Sequence, residues 1–384
     1  MKDFFRYFLE SELKFFAAKL IKKFKPFVIG VTGSSGKTTV KYMIGEMMRA
    51  SGKKVRAGAS NLNTETGLPL AILGYEQAPE TISQWLAVCL GVPWKYLFTS
   101  QLPEFLVLEY AADKPGDIKY LTSIVRPQIA VITNIGVAHI EIFKTVDKIA
   151  REKWNLASAA EEKIICFKKD YAKVSDHAAR AELILVEEGP IKITAVKYLP
   201  NQTTMNIGLY GDIISTQTSF LGEHNIANLQ ISLIASYLAG GDFKKIVRAV
   251  ETIKPQAGRG MRIIGRNEVV IIDESYNANP LSMMAALSNL ANVKYSRKVA
   301  VLGEMMEIGP VSQKSHHEVA KYAREVTDFI VGVGDKFKEE KLDLWYPNVT
   351  ELNKMAEDII KKGDIVLVKG SHSNRLDKFV EILK

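Results

Sequence analysis

Through the first 25 positions apolar residues recur at three- and four-residue steps: Phe4, Phe5, Phe8, Leu9, Leu13, Phe16, Leu20, Ile21 and Phe24. That period predicts an amphipathic helix, with Lys and Arg outnumbering Asp and Glu by seven to three over the stretch. The pattern changes at Phe27. Phe27 to Thr32 is a short, β-branched apolar run of the kind that forms a strand buried on both faces. "FLVLEYAA", "IAVITNIG" and "KIICF" repeat it, with helical stretches between, such as the one after Val146. This βαβ rhythm predicts a parallel sheet covered by helices. From Leu183 to Phe220 the segments turn shorter and more polar, ending at "SFLGEHN", and two helices follow. "KPQAGRGMR" then reads as a linker, broken by Pro255, Gly258 and Gly260. Beyond it "VVIIDESYNANP", "KVAVLGEMMEIG", "FIVGVG" and "DIVLVKGS" predict four strands, each followed by a helix. The organisation expected is a helix over 1–25, a central domain over 26–254 and a smaller one over 255–384.

At 384 residues the chain is long for one core, and 47% hydrophobic with 24% charged residues is ordinary for a globular protein. The net charge of +8 is spread out apart from the N-terminal cluster, which suits anionic substrates. No zinc-finger spacing, RNA-binding aromatic motif or long basic tail points to nucleic acid. Cys89 and Cys166 stand apart in apolar surroundings and fit a reducing cytosol, with no metal or disulfide framework. No stretch is long and apolar enough to cross a membrane. Charges interrupt the apolar part of the first helix and no cleavage site follows, so it is not a signal peptide. It either docks on the body of its own chain or lies on a membrane surface.

The first chemistry lies at the end of the Phe27 strand, in "TGSSGKTT". Gly33 and Gly36 let the backbone curl so that N–H groups of Gly33, Ser34, Ser35 and Gly36 face an anion. Lys37 can reach the outer phosphates, the Thr38 hydroxyl suits Mg2+, and the helix that carries Thr39 adds its positive end. The general pattern wants Gly five residues before Gly36, where Val31 stands, so this is the narrower form T-G-x-x-G-K-T-T. The alternative is an ordinary strand–turn–helix corner with a surface lysine. Glu109 ends another strand, where a carboxylate can hold Mg2+ beside such a loop or can simply be solvated. Asn134 and His139 follow a third strand. "GEHNIANL" puts Asn225 and Asn228 at a helix start, where Asn225 is also a good cap. Asp273 ends a strand before "ESYNANP", which a turn and a helix-starting Pro280 would also explain.

Taken together, "TGSSGKTT", "NLNTETGLPL", "VLEYAADKPGDIKYL", "VRPQIAVITNIGVAHIE", "GEHNIANL", "GRGMRII", "DESYNANPLSM", "VLGEMMEIG" and "LVKGS" resemble the Mur ligase family of ATP-dependent amide-bond ligases. "SYNANPLSM" and "LGEMMEIG" pull the resemblance toward the branch that adds D-alanyl-D-alanine and away from folylpolyglutamate synthases. The fold implied is α/β, a P-loop parallel-sheet central domain plus a smaller Rossmann-like C-terminal domain. The resemblance implies that Lys37 and Thr38 hold ATP phosphates and Mg2+, and that Glu109 and His139 bind two Mg2+ ions. It implies that Asn225 and Asn228 meet adenine, and that Arg259 and Asp273 contact phosphate and ribose. Lys153, in "AREKWNLA", falls where the family has a lysine that becomes a carbamate and helps hold the second ion. The family often has an acid two positions on, where Asn155 stands, and a surface lysine is the alternative. His372 replaces the Arg of the family's K-G-S-R, which leaves Lys369 and Ser371, with Asn279, as the weaker substrate candidates.

The substrates implied are a muramoyl peptide and D-Ala-D-Ala, acted on by a monomeric, cytoplasmic enzyme in which ATP draws the two domains shut. Only the amphipathic helix precedes the P-loop strand, in place of the family's usual UDP-holding domain, so a weak grip on uridine is expected. That helix offers peripheral membrane contact through residues 1–25, or packs on the body. Two other readings stay open: a similar ligase acting on another carboxylate, and a nucleotide-binding partner protein that catalyses nothing.

Overall fold

The computed structural model describes residues 2–58, 62–136, 140–175, 177, 179–199 and 202–384. The chain divides into two compact units, the first made of Met1–Gly136, Ile142–Lys192 and Asn228–Ala249, the second mainly of Ile193–Ala227 and Val250–Lys384.

The first unit is built on six strands: β1 (Phe27–Thr32), β2 (Val55–Ala57), β3 (Phe105–Glu109), β4 (Ile129–Ile132), β5 (Lys163–Cys166) and β6 (Glu182–Leu185). They pair in the order β2-β3-β1-β4-β5-β6, all parallel. The apolar runs are explained by this placement, since β1, β3 and β4 lie inside the sheet with nearly every residue buried. From β1 the chain first builds outward through β2 and β3, then crosses to β4 on the other side. This reversal opens a crevice at the carboxyl ends of β1, β3 and β4, the place where open α/β sheets bind ligands.

Four helices of this unit bear on the argument. They are α1 (Lys2–Phe24), α2 (Lys37–Ala50), α3 (Gly67–Leu73) and α4 (Ile82–Phe98). Leu9, Leu13, Ala17 and Leu20 of α1 repeat at helical spacing and are all at most 5% exposed. They pack α1 against α3, α4 and the helix Asp117–Ile124. Lys14 on the same helix donates to Ser123 Oγ at 2.8 Å. From Leu9 onward the apolar stripe of α1 is thus spent on the helix's own unit.

The second unit's sheet runs β10-β11-β15-β12-β13-β14, from β10 (Met261–Ile264), β11 (Val270–Glu274), β12 (Lys298–Gly303), β13 (Phe329–Val333), β14 (Leu344–Tyr346) and β15 (Ile365–Lys369). Only β10 is antiparallel. One core, around Leu287, Leu302 and Leu367, covers one set of side chains, and another, around Val301, Val368 and Phe379, the other. A three-stranded sheet accompanies it: β7 (Ile191–Tyr198), β8 (Thr203–Leu209) and β9 (Asp212–Thr218). β8 and β9 join through Tyr210 and Gly211, both at positive φ, which is what a two-residue hairpin requires. This polar β region falls on the first-domain side of the expected 254/255 limit. In the structure it goes with the second unit, because Tyr198 and Leu221 pack into the core around Leu287. Between β13 and the short edge strand β14 there is only the 3-10 turn Asp335–Phe337 and no α-helix, and β10 occupies part of the expected linker.

If α1 is an integral part of the first unit, its buried stripe must matter to stability. Leu13→Ala and Leu20→Ala should each destabilise that unit by about 2–5 kcal/mol. Lys22→Ala, at an exposed position of the same helix, should stay within about 0.5 kcal/mol. Urea unfolding of the full chain checks both.

Candidate active site

The loop between β1 and α2 is shaped by what presses on it. A Cβ on Gly33 would stand 1.9 Å from Thr133 Oγ1, and one on Gly36, at φ 78°, 2.7 Å from Asn228 Oδ1. Only glycine allows both approaches. Ser34 N–H donates to Asn134 O at 2.9 Å, Ser35 N–H to Asn134 Oδ1 at 3.0 Å, and Ser34 Oγ to Gly136 O at 2.9 Å. The segment after β4 therefore holds the loop open from the side. No side chain caps the start of α2, so its first N–H groups are available to an anion. Lys37 Nζ donates to Gly33 O at 2.9 Å, lying along the loop it would serve.

Glu109, at the end of β3, is 2% exposed. Its Oε2 accepts from the Thr38 hydroxyl at 3.0 Å and lies 3.2 Å from Lys41 Nζ, while Oε1 accepts from Asn63 Nδ2 at 2.9 Å. Burial alone would raise its pKa. The Lys41 and Lys37 ammonium groups, with the bonds from Asn63 and Thr38, outweigh burial and hold the carboxyl below the ordinary carboxylate range. The solvated strand-end alternative for Glu109 is thereby corrected: the carboxylate is buried because β1 and α2 close over it.

Lys153 is likewise no surface lysine. On the helix Val146–Ala159 it is 3% exposed. Burial, then the Lys37 ammonium, pushes its amine down to about 7 against the opposing pull of Glu152 and Asp113. Glu152 accepts from the N–H groups of Gly116 and Ile118, both at 2.8 Å, and so caps the helix that follows. His139 lies outside the described residues, and among those described no three His, Cys, Asp or Glu side chains converge as a metal site. What does fit Mg2+ is the hydroxyl–carboxylate pair of Thr38 and Glu109 beside a phosphate loop, because that ion keeps waters and phosphate oxygens in its shell and asks few protein ligands.

Asn225 and Asn228 stand in the first turns of the helix Glu223–Leu238. Asn225 is not the cap: its Nδ2 donates back to Leu221 O at 2.9 Å. Asn228 lies against Gly36 of the loop. In the second unit, Asp273 accepts from the N–H groups of Gly258 at 2.9 Å and Ser275 at 3.1 Å, and pins the turn that carries Arg259. The Arg259 guanidinium lies over the Tyr276 ring at 4.0 Å, and that ring faces His372 at 5.6 Å. Lys369 pairs with Glu274 at 2.9 Å and donates to Asn277 O at 3.0 Å. Asn279 caps the helix Pro280–Ala291 together with Ser282, and Ser371 Oγ accepts from Met306 N–H at 3.0 Å.

The structure thus gathers Gly33–Thr39, Glu109 and Asn228 in the first unit, and Arg259, Asp273 and Lys369 in the second. The sequence reading had missed Lys41, Asn63, Tyr276 and Glu274. Lys41 had a signal: it stands three residues after Thr38, on the same helix face.

A phosphate loop with a buried acid on the neighbouring strand defines a nucleotide-binding α/β protein, joined here to a second α/β unit. Residues 31–236 match the Mur ligase middle domain and residues 258–372 the Mur ligase, glutamate ligase domain. The chain belongs to the Mur ligase family. It is 30% identical over 385 residues to the UDP-N-acetylmuramoyl-tripeptide–D-alanyl-D-alanine ligase of Treponema pallidum, covering 94% of this chain and 76% of that one. To the ligase of the same name from Escherichia coli it is 27% identical, covering 93% and 76%. The crystal structure of MurF ligase from Thermotoga maritima in complex with ADP superposes with a TM-score of 0.82 at 26% identity, covering 97% of this chain and 83% of that one.

The Lys41–Glu109 pair should show strong coupling. Lys41→Met leaves a buried carboxylate without its nearest cation and should cost about 3–5 kcal/mol. Glu109→Gln should be similarly costly, and the double substitution should recover most of the loss. A double-mutant cycle by urea unfolding measures it.

Proposed function

We propose that the chain is an ATP-dependent, ADP-forming ligase, working as a monomer, that joins the carboxylate of a muramoyl peptide to the amine of D-alanyl-D-alanine. The observation that carries this reading is the convergence of Lys37, Thr38 and the buried Glu109 at the crevice of the first sheet. The likeness to D-Ala-D-Ala-adding ligases over more than nine-tenths of the chain supports the substrates.

In this reaction a substrate carboxylate oxygen attacks the γ-phosphorus of ATP and ADP leaves. The amine nitrogen then attacks the acyl carbon, phosphate departs with its bonding electrons and the nitrogen loses a proton. The protein's part is positioning and charge. The uncapped start of α2 holds the phosphates, and the loop's Ser34 and Ser35 N–H groups exchange Asn134 for phosphate oxygen, as Lys37 exchanges its own partner. Lys37 exchanges Gly33 O for phosphate oxygen. Thr38 and Glu109 hold Mg2+, which when bound offsets the charge on the transferring group. The neutral Lys153 amine would add to CO2 with loss of a proton, and the resulting carbamate anion, with His139, would hold a second Mg2+. Burial favours this, because only the neutral amine reacts and its pKa is pushed down to about 7. Asn225 and Asn228 meet adenine, and Arg259 and Asp273 serve phosphate and ribose. Asn279, Lys369 and Ser371 already carry structural bonds, and the mechanism assigns them no step.

Lys37→Ala should abolish phosphate release with ATP, UDP-linked muramoyl tripeptide and D-Ala-D-Ala while the circular dichroism stays unchanged. Near-normal turnover would sink the ligase reading.

Lys153 has a readout of its own. Protein equilibrated with 13C-bicarbonate should give a carbamate carbon resonance that Lys153→Ala lacks, growing as pH rises through about 7 and the amine loses its proton. Acetate should partly restore activity to Lys153→Ala by filling the vacated anionic position.

A further inference from the structure

Helix α4 turns an apolar face to solvent. Ile82, Leu86, Leu90, Trp94, Leu97 and Phe98 are each between 46% and 77% exposed. Their spacing puts them on one side of the helix, and the opposite side, with Val88 and Val92, anchors α4 to its unit. A continuous apolar stripe of this kind on a folded protein marks a surface that something else covers.

Charge says what kind of surface that is. No acidic residue occurs between Glu80 and Glu104, and Lys95 is the only charge on α4. Helix α1 lies alongside, with Phe16 5.5 Å from Tyr96. Lys19, Lys22 and Lys23 of α1 are exposed, and the Lys19 and Lys23 ammonium groups stand 5.9 and 5.7 Å from the Tyr96 ring. An apolar and aromatic stripe rimmed by lysines is the composition of a helix lying in the interface of an anionic bilayer. A second copy of the chain would bring the two lysine rims together, at a repulsive cost. At 17 residues the helix is about 25 Å long, enough to lie along a bilayer surface, and no helix among the described residues is long and apolar enough to cross one.

We propose that the first unit docks on anionic lipid through α4, its apolar stripe sunk into the interface and the α1 lysines against headgroups. Of the two placements open to α1 from its sequence, from Leu9 onward it packs its stripe on its own unit, and its lysines are what it brings to this surface. The inference is independent of the ligase reading.

The test is flotation of the full chain with vesicles of phosphatidylcholine, alone or with about one-third phosphatidylglycerol. Binding to the anionic vesicles should be about tenfold stronger or more at low salt and should weaken as salt is added. Leu90→Glu with Trp94→Glu should cut that binding by about tenfold or more, with unchanged thermal unfolding and unchanged phosphate release in vesicle-free solution. Lys19→Glu with Lys22→Glu and Lys23→Glu should remove the preference for anionic lipid. Equal flotation of the wild type and Leu90→Glu/Trp94→Glu would overturn the proposal. So would a dimer in light scattering that this variant dissociates while the wild type ignores vesicles, since a second copy would then be the occupant.

Discussion

A carboxylate buried to 2% exposure at the end of a central strand must be compensated, and the geometry of the first unit follows from how Glu109 is. Its three partners come from two places: Thr38 and Lys41 one turn apart on α2, and Asn63 from the segment before α3. Holding all three fixes the angle at which α2 leaves β1, and with it the curl of Gly33–Gly36. Lys41 is the part of this that outlasts ligand. A cation of fixed position at 3.2 Å keeps the carboxylate ionised without metal, so the acid is charged and aimed before a divalent ion arrives. Such preorganisation removes reorganisation from the moment of reaction.

The second unit repeats the device. Glu274 ends β11, Lys369 ends the adjacent β15, and the two meet at 2.9 Å, both nearly buried. Glu274 is held below the usual carboxylate range: burial opposes its charge, but Lys369 and His224 outweigh burial. Lys369 also donates to Asn277 O, which ties the "SYNANP" loop to the strand ends. Next to it Asp273 accepts from the N–H groups of Gly258 and Ser275. The strand ends thus set two loops at once, one presenting Arg259 and the other opening the helix capped by Asn279. Each unit is organised by a buried acid–lysine pair at the carboxyl ends of its strands.

What the sequence made legible was whatever local pattern determines. Phe27–Thr32, Phe105–Glu109 and Ile129–Ile132 read as buried strands because both their faces are covered, and Gly33 and Gly36 read as a phosphate loop because that curl admits no side chain. Short strands that are not buried on both faces were not legible. β14 has three residues and β10 four, too few for a period to show. Burial of single charges was not legible either. Lys41 and Lys153 have the look of helix-surface lysines, and Glu109 of a strand-end charge, because nothing within a few residues says that distant chain will close over them. Thr38 and Glu109 are 71 positions apart. The stripe on α4 was invisible for the opposite reason: in sequence an apolar helical face reads as core, and only the fold shows that Val88 and Val92 take the inward side.

Asn155 illustrates how a departure from a family pattern can be read physically. Two residues after Lys153 the family often carries an acid. Here Glu152, three residues before Asn155 on the same helix, is already committed to the N–H groups of Gly116 and Ile118. A carboxylate at 155 would face that of Glu152 across one helical turn, a like-charge pair at the spacing where helix side chains meet. The amide instead donates to Glu152 Oε2 at 3.3 Å, which turns a repulsion into a bond. It also spares the neighbourhood of Lys153 one more anion. Every anion there pulls the amine's pKa upward, as Glu152 and Asp113 already do. Leaving 155 neutral lets burial and Lys37 hold the amine's pKa down, at about 7. The departure from the family's acid therefore works in the same direction as the carbamate proposed for Lys153.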